Sequence, residues 1–321
     1  MRIKNNKALP NLILKWSKNI CNQLNKNSKT KRGRPPVYED YLVVSALLLK
    51  VLKKLSLREL EEHLKEIFPK VPDFTTLWYR FKKLEKTYLI RMIEETAKKI
   101  MEELEAKEFH SLIADGTGFG YAETYHLRWK RGKELRQVSS HVKTEVLVGV
   151  VKGKAVVVNV NTGRSYSDEN RLLMPMLESL GVRARYFVGD AYYGKSVSVL
   201  KRIKELGMVA VVPVRDTLRM VVRDPYRLWA KENYMLRRKV YKKRSHVERV
   251  IGIVKETMGD RDRTEDMYVA SLYVLGRFVI YNLALLEELL LLLFRLLVPA
   301  VFLKAFIFQY EGYFSNRLQG R

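Results

Sequence analysis

The chain has 321 residues, with 60 Lys and Arg against 35 Asp and Glu and a formal net charge of +25. Its 47% hydrophobic content can fill a packed core, which excludes intrinsic disorder, and its single cysteine, Cys21, excludes a disulfide scaffold and any thiolate-ligated zinc or iron–sulfur centre. A positive excess of this size calls for a polyanionic partner, with nucleic acid the first candidate.

Ten basic side chains precede the first acid, Glu39, so residues 1–38 read as a basic arm. It ends in Lys31-Arg32-Gly33-Arg34-Pro35-Pro36, where Arg32 and Arg34 flank a glycine as in arms that enter a DNA minor groove. A solvated basic linker fits the same residues. No cleavable leader is apparent, because the apolar stretch Leu12–Trp16 is short and broken by Lys15, and a cytoplasmic, nucleoid-associated protein is expected.

Residues 39–107 carry helical periodicity. Leu42, Ala46, Leu49 and Leu52 mark one helix, and Ser56-Leu57-Arg58-Glu59 starts a second with a capping box. Pro69 and Pro72 end the second, and Asp73 caps a third that carries Thr76, Arg80, Lys82 and Lys83. Helix, short turn and basic helix form the outline of a helix-turn-helix, which predicts DNA contact through Thr76, Arg80 and Lys83. Helical bundles that bind nothing share that outline. A charged amphipathic helix follows to Lys107.

From 108 to 260 the pattern changes to short apolar strands alternating with helices. Phe109–Asp115 is a strand ending in an acid. Val142–Val151 and Ala155–Val160 form a hairpin about Lys152-Gly153-Lys154. A helix spans Asp168–Leu180, a strand Arg183–Asp190, a helix Lys195–Leu206, a strand Met208–Val214 and a long helix Tyr241–Met258. This order is that of an α/β ribonuclease-H-like domain with a mixed five-stranded sheet and flanking helices, preceded by the all-α region. Residues 261–321 read as a C-terminal helical region. Its apolar stretch is interrupted by Glu287, Glu288, Arg295 and Lys304, leaving charge-free pieces shorter than the roughly 20 residues of a membrane span. A buried helix or a subunit interface is expected there rather than a membrane segment.

Asp115 and Asp190 close apolar strands, where a carboxylate has little stabilising purpose. On one regular helix at 100° per residue, Tyr241, Arg244, Glu248 and Lys255 share an arc of about 60°, beside the apolar edge of Val247, Ile251 and Val254. A solvated salt-bridge stripe gives the same projection, since Arg244 and Glu248 are an ordinary i,i+4 pair.

The spacing Tyr241-x2-Arg244-x3-Glu248-x6-Lys255 resembles the signature around the third acid of insertion-sequence transposases of the DDE superfamily. Asp115-Gly116-Thr117 and the block Gly189–Gly194 around Asp190 resemble that family's first and second acid motifs, and the likeness covers about residues 32–260. The resemblance implies DNA cleavage at element ends and strand transfer into target DNA. It further implies Asp115, Asp190 and Glu248 as the acids holding two Mg²⁺ or Mn²⁺ ions, and a homodimer when two ends are paired. By the same resemblance, Arg244 and Lys255 hold phosphates and Tyr241 stacks or hydrogen-bonds nearby. Two hard cations about 3.5–4 Å apart suit an all-carboxylate set and in-line phosphoryl displacement.

Members of that family often carry His-Asp where this chain has Ser167-Asp168, and the preference of Asp for the start of a helix gives Asp168 the reading of a helix cap. Arg215, Arg219, Arg223, Arg227, Arg237, Arg238 and Lys239 are expected to track phosphates, Trp229 lies in the same short connection, and His141 and His246 read as packing residues. Two other readings stand beside the transposase: a metal nuclease of the same fold without strand joining, and a silent DNA-binding relic.

Overall fold

The computed structural model describes the backbone of residues 3, 6–26, 37–130, 134–215 and 221–318, and the side chains of these except 26, 123–130, 134–138 and 293–318. Arg32, Arg34 and Arg219 lie outside the described residues. Much of the expected basic arm is a helix, α1 (Leu9–Lys26). Leu9, Ile13, Ile20 and Cys21 are buried, while Lys15 and Lys18 stay exposed, so the apolar stripe seats the helix and the charge remains outside.

Three of the next four helices follow the expected boundaries closely, and the fourth, α5, ends a few residues short. In α2 (Asp40–Lys53), every residue from Leu42 to Leu49 is buried. In α3 (Leu57–Lys65) the capping box forms, with Glu59 N donating to Ser56 Oγ at 3.2 Å and Ser56 N donating to Glu59 Oε2 at 2.7 Å. Asp73 caps α4 (Phe74–Lys83) by accepting from the backbone of Thr75 and Thr76, each at 2.9 Å. A fourth helix of this group, α5 (Thr87–Glu103), packs on the sheet.

The sheet has the order β3-β2-β1-β4-β5. Its first three strands, β1 (Phe109–Lys130), β2 (Glu134–Val151) and β3 (Lys154–Gly163), are antiparallel neighbours. After α6 (Glu169–Glu178), β4 (Ala184–Val188) runs parallel to β1, and after α7 (Val197–Glu205), β5 (Val209–Val211) runs parallel to β4. This is the ribonuclease-H-like arrangement expected from the order of elements. Two expected strand ends are corrected. β4 ends at Val188, leaving Asp190 in the loop after it. The first strand does not stop at Asp115 but runs to Lys130, paired with β2 throughout except for an irregularity between Gly120 and Tyr125. That ribbon rests on backbone hydrogen bonds rather than apolar alternation, so its polar, glycine-bearing sequence hides it.

Between β5 and the last catalytic-region helix lies α8 (Pro225–Leu236), capped by Asp224 and opened by Pro225 at its first position. A short α9 (Arg238–Tyr241) and a 3-10 turn (Lys242–Arg244) lead into α10 (Ser245–Met258). The two-residue β6 (Arg261–Asp262) pairs with β1 at Gly120 and Tyr121.

The last helix, α11 (Met267–Leu318), holds the molecule together. Its segment Met267–Leu292 is long and apolar enough to cross a membrane, yet its central stretch 269–286 is buried throughout within the protein. Tyr268 and Leu290, Leu291 and Leu292 at its ends are exposed. A helix apolar on every side belongs in a core, and this one contacts α1, α2, α5, β2 and β3. Two polar residues on it are paired rather than orphaned. Asn282 accepts from Val157 N at 3.0 Å and donates to Val157 O at 2.7 Å, and Arg277 grips Asp262 with two bonds of 2.8 Å.

Candidate active site

Three structural choices bring the predicted acids to one lip of the sheet. Parallel pairing ends where Ile113 meets Val188, so β4 stops while β1 continues. Asp115 stands two residues further along β1, and Asp190 two residues beyond the end of β4 in the loop that follows, near enough for its charge to act on Asp115. The crevice beyond the carboxyl ends of parallel strands is where open α/β sheets bind ligands. Glu248 stands in the first turn of α10. Arg244 lies between the acids, its guanidinium 3.1 Å from Asp115 Oδ1 and 2.9 Å from Glu248 Oε1.

The electrostatics of Asp115 follow from this placement. Burial pushes its carboxyl above the usual carboxylate range, the Arg244 guanidinium opposes that shift, and the charges of Glu248 and Asp190 add to it. Asp190 is oriented by its own loop, since Tyr192 N donates to Asp190 Oδ1 at 2.7 Å. The helix that carries Glu248 buries Val247, Val250, Ile251, Val254 and Met258, which fixes the face it turns to the sheet.

Comparison with known proteins settles the family. A sequence profile described as "Transposase DDE domain" matches residues 107–283. A second profile of the same description matches residues 10–102. The chain belongs to the DDE transposase family. An uncharacterised protein of Aquifex aeolicus (strain VF5) is 65% identical over 298 residues, covering 92% of this chain and 93% of that protein. Among solved structures, the chain is similar to the piggyBac transposase synaptic complex with hairpin DNA, with a TM-score of 0.42 and 11% identity over 89% of this chain and 73% of that one. It is also similar to the Mos1 strand transfer complex, with a TM-score of 0.28 and 10% identity over 83% of this chain and 82% of that one.

The other predicted residues of this transposase fall into two groups. Tyr241 is not on the same regular helix as Glu248, because the 3-10 turn intervenes, and its ring packs edge-on against Tyr234 at 5.0 Å. Lys255 places its ammonium over the Phe119 ring, 5.1 Å from the centroid. Of the four signature residues, Arg244 therefore meets Asp115 and joins Glu248 to it, while Lys255 stands off over the Phe119 ring. Arg237 bonds to Asn233 Oδ1 at 2.6 Å, whereas Arg238 and Lys239 are exposed beside it. Arg227 is used within the fold, donating to Gly194 O at 3.2 Å. Trp229 is a packing residue, partly buried against the core.

On α4 the structure redistributes the expected contacts. Arg80 is tied to Tyr38 O at 3.0 Å and Asp40 at 2.6 Å, and Thr76 Oγ1 donates to Asp73 at 2.9 Å, so both serve the helical region internally. Lys83 stays exposed over the Tyr79 ring, with Lys82 over Trp78, forming a basic and aromatic face.

His141 lies edge-on to Tyr166 and His246 meets Arg249, in keeping with packing roles. Asp168 caps α6, accepting from Arg171 N at 3.0 Å, and also accepts from the Tyr192 hydroxyl. That hydroxyl is the largest cause holding the Asp168 carboxyl below its ordinary range. A lowered carboxyl stabilises the fold above the unfolded pKa of about 3.9 and loses that contribution as pH falls through the folded value. Asp168→Asn is thus expected to lower the melting temperature at pH 7 and to flatten its decline below about pH 4, read from melting curves across pH.

The sequence reading passes over Glu145, Tyr192 and Tyr193, which surround the two aspartates. Tyr192 and Tyr193 lie inside the motif block around Asp190, which was the available signal. Glu145 sits in a β-branched run, and nothing local marks it.

Proposed function

We propose that this transposase cuts DNA at element ends and joins the freed 3′-hydroxyl to target DNA, with Asp115, Asp190 and Glu248 holding divalent cations. The observation that carries this reading is the charge cluster in which Arg244 bridges Asp115 and Glu248, with Asp190 near enough for its charge to act on Asp115. The residues fit Mg²⁺ or Mn²⁺ chemically. Every donor is a hard carboxylate oxygen, and Asp115 is half-buried beside two like charges whose repulsion a cation relieves. Among the described residues no three Asp, Glu, His or Cys side chains already converge as a metal cage, and Arg244 supplies positive charge between two of the acids.

Divalent cations, when bound, would activate the attacking hydroxyl and neutralise charge on the leaving oxygen. The chain's own part is to fix the acids on a strand, the loop after β4 and a packed helix, and to present positively charged side chains to the backbone of DNA. Arg244, relieved of its carboxylates, is placed to take a phosphate by a two-pronged contact. Arg238, Lys239 and the Lys82–Lys83 face of α4 would bind phosphates further out, a contribution that weakens steeply with salt. Pairing two ends would require two protomers.

The test is a cleavage and joining assay on end-bearing DNA with Mg²⁺ or Mn²⁺, against the same reaction in EDTA. Metal-dependent 3′-hydroxyl ends followed by joined products are expected. Nicks without joined products would turn the reading to a nuclease, and binding without any cleavage would leave a DNA-binding relic.

A further inference from the structure

Behind the candidate site, on the opposite face of the sheet, a buried phenol meets a buried acid. Gly116 is the cross-strand partner of Glu145, one residue beyond the Asp115–Val146 pair, so Glu145 projects away from the face that carries Asp115. Glu145 is 0% exposed, and its Oε1 accepts the Tyr193 hydroxyl at 2.6 Å. Its other oxygen, Oε2, is buried with no hydrogen-bond partner. Tyr193 is also 0% exposed.

Tyr193 belongs to the loop that carries Asp190. Its ring packs edge-on against Phe187 at 6.3 Å and lies so close to Gly189 that a Cβ there would fall 2.6 Å from Tyr193 Cδ2. At the far end of the loop a Cβ on Gly194 would fall 2.5 Å from Pro213 O. The glycines at both ends of the block are therefore required by close approach, and the tyrosine between them is the part of the loop that reaches into the core.

We propose that Tyr193 and Glu145 are positioning residues: their buried bond ties the Asp190 loop to β2, the strand paired with the one bearing Asp115, and so sets the spacing of the two aspartates. This rests on the reading of the site given above. A structural role alone does not account for the pair, because an acid with one unpartnered oxygen in the core is a poorer filler than Gln, Leu or Met. Burial also pushes the Glu145 carboxyl well above its ordinary range, in the presence of Glu169, Lys143 and Asp115. A bond that weakens the core yet fixes a loop is accounted for if the loop's position matters to the chemistry.

The test compares wild type with Tyr193→Phe, Glu145→Gln and Glu145→Leu in the full chain. Hydrogen exchange over 189–194 in metal-free protein reads the loop. Mn²⁺ titration by calorimetry, together with the Mn²⁺ dependence of cleavage, reads the spacing of the acids. Tyr193→Phe, which deletes a single oxygen, is expected to speed exchange in the loop. It should also raise the Mn²⁺ needed for half-saturation about 10–100-fold, as for other supports of metal ligands, with end-DNA binding unchanged. Glu145→Gln keeps an acceptor oxygen and should stay near wild type, while Glu145→Leu should match Tyr193→Phe. Wild-type Mn²⁺ half-saturation in Tyr193→Phe, or wild-type exchange in its loop, would overturn the proposal, and this variant decides the matter if Glu145→Leu does not fold. A wild-type chain that neither binds Mn²⁺ nor cleaves DNA would instead overturn the reading of the site, and exchange alone would then decide whether the pair holds the loop.

Discussion

Asp115→Asn is expected to lower metal-dependent cleavage by about 10³-fold, with end-DNA binding within a few-fold of wild type. The size follows from the several kcal/mol of charge stabilisation that a bound cation supplies to phosphoryl transfer, at about 1.4 kcal/mol per tenfold in rate. Asn keeps the shape of the side chain but removes the charge that would hold the cation. Binding should survive because it rests on many Lys and Arg contacts spread over the surface. The folded state should survive as well. Burial disfavours the charged form of Asp115, so its contribution to stability is present at low pH and is lost as pH rises through its raised folded value. The neutral amide removes that loss, although Arg244 gives up one partner, and a melting temperature near wild type at pH 7 is expected. Single-turnover cleavage, anisotropy and thermal melting on the same preparation separate these outcomes. Equal loss of binding and cleavage would mean that Asp115 serves DNA contact rather than chemistry. Asp190→Asn and Glu248→Gln belong in the same series.

Arg277→Ala is expected to have the largest effect on stability, about 3–5 kcal/mol, as found when one partner of a buried ion pair is removed. Arg277 is 2% exposed and holds both oxygens of Asp262 at 2.8 Å, with its guanidinium 5.3 Å from the Phe119 ring centroid. Through Asp262 it anchors β6, which pairs with β1 at Gly120 and Tyr121, a few residues beyond Asp115. Alanine would leave a carboxylate facing a cavity. The change is read as a lower urea midpoint, and the double variant Arg277→Met with Asp262→Leu should recover most of it, since an apolar pair carries no desolvation penalty. A midpoint unchanged by Arg277→Ala would mean that water reaches Asp262 readily and that the pair contributes little.

How far the chain could be read in advance differed from element to element, for reasons that lie in the physics of each. The capping box at Ser56 and the cap at Asp73 were legible because such bonds span three residues. The apolar runs of β2, β3 and β4 were legible because a buried strand needs β-branched and aromatic side chains. Helix α1 carried its own signal in Leu9, Ile13, Ile20 and Leu24, but ten basic charges drew attention to what the segment would bind rather than what it would bury. The ribbon beyond Asp115 and the helix α8 carried little apolar periodicity and could be placed only by pairing and packing.

Residue types and spacing alone left Arg244 and Glu248 open to a solvated salt-bridge stripe, and it was the likeness of three motifs to a known family that marked three acids and an arginine as one chemical group. Whether they meet is a property of distant pairings. Asp115 and Asp190 each follow the last β1–β4 pair, Ile113 with Val188, by two residues, and Arg244, in the turn before α10, reaches Asp115. Lys255 stands over Phe119 rather than against the acids, and Arg80 turns inward to Asp40, contacts made with residues far away in the chain. The Tyr193–Glu145 bond joins residues 48 positions apart through the sheet, and no local pattern records a contact of that range.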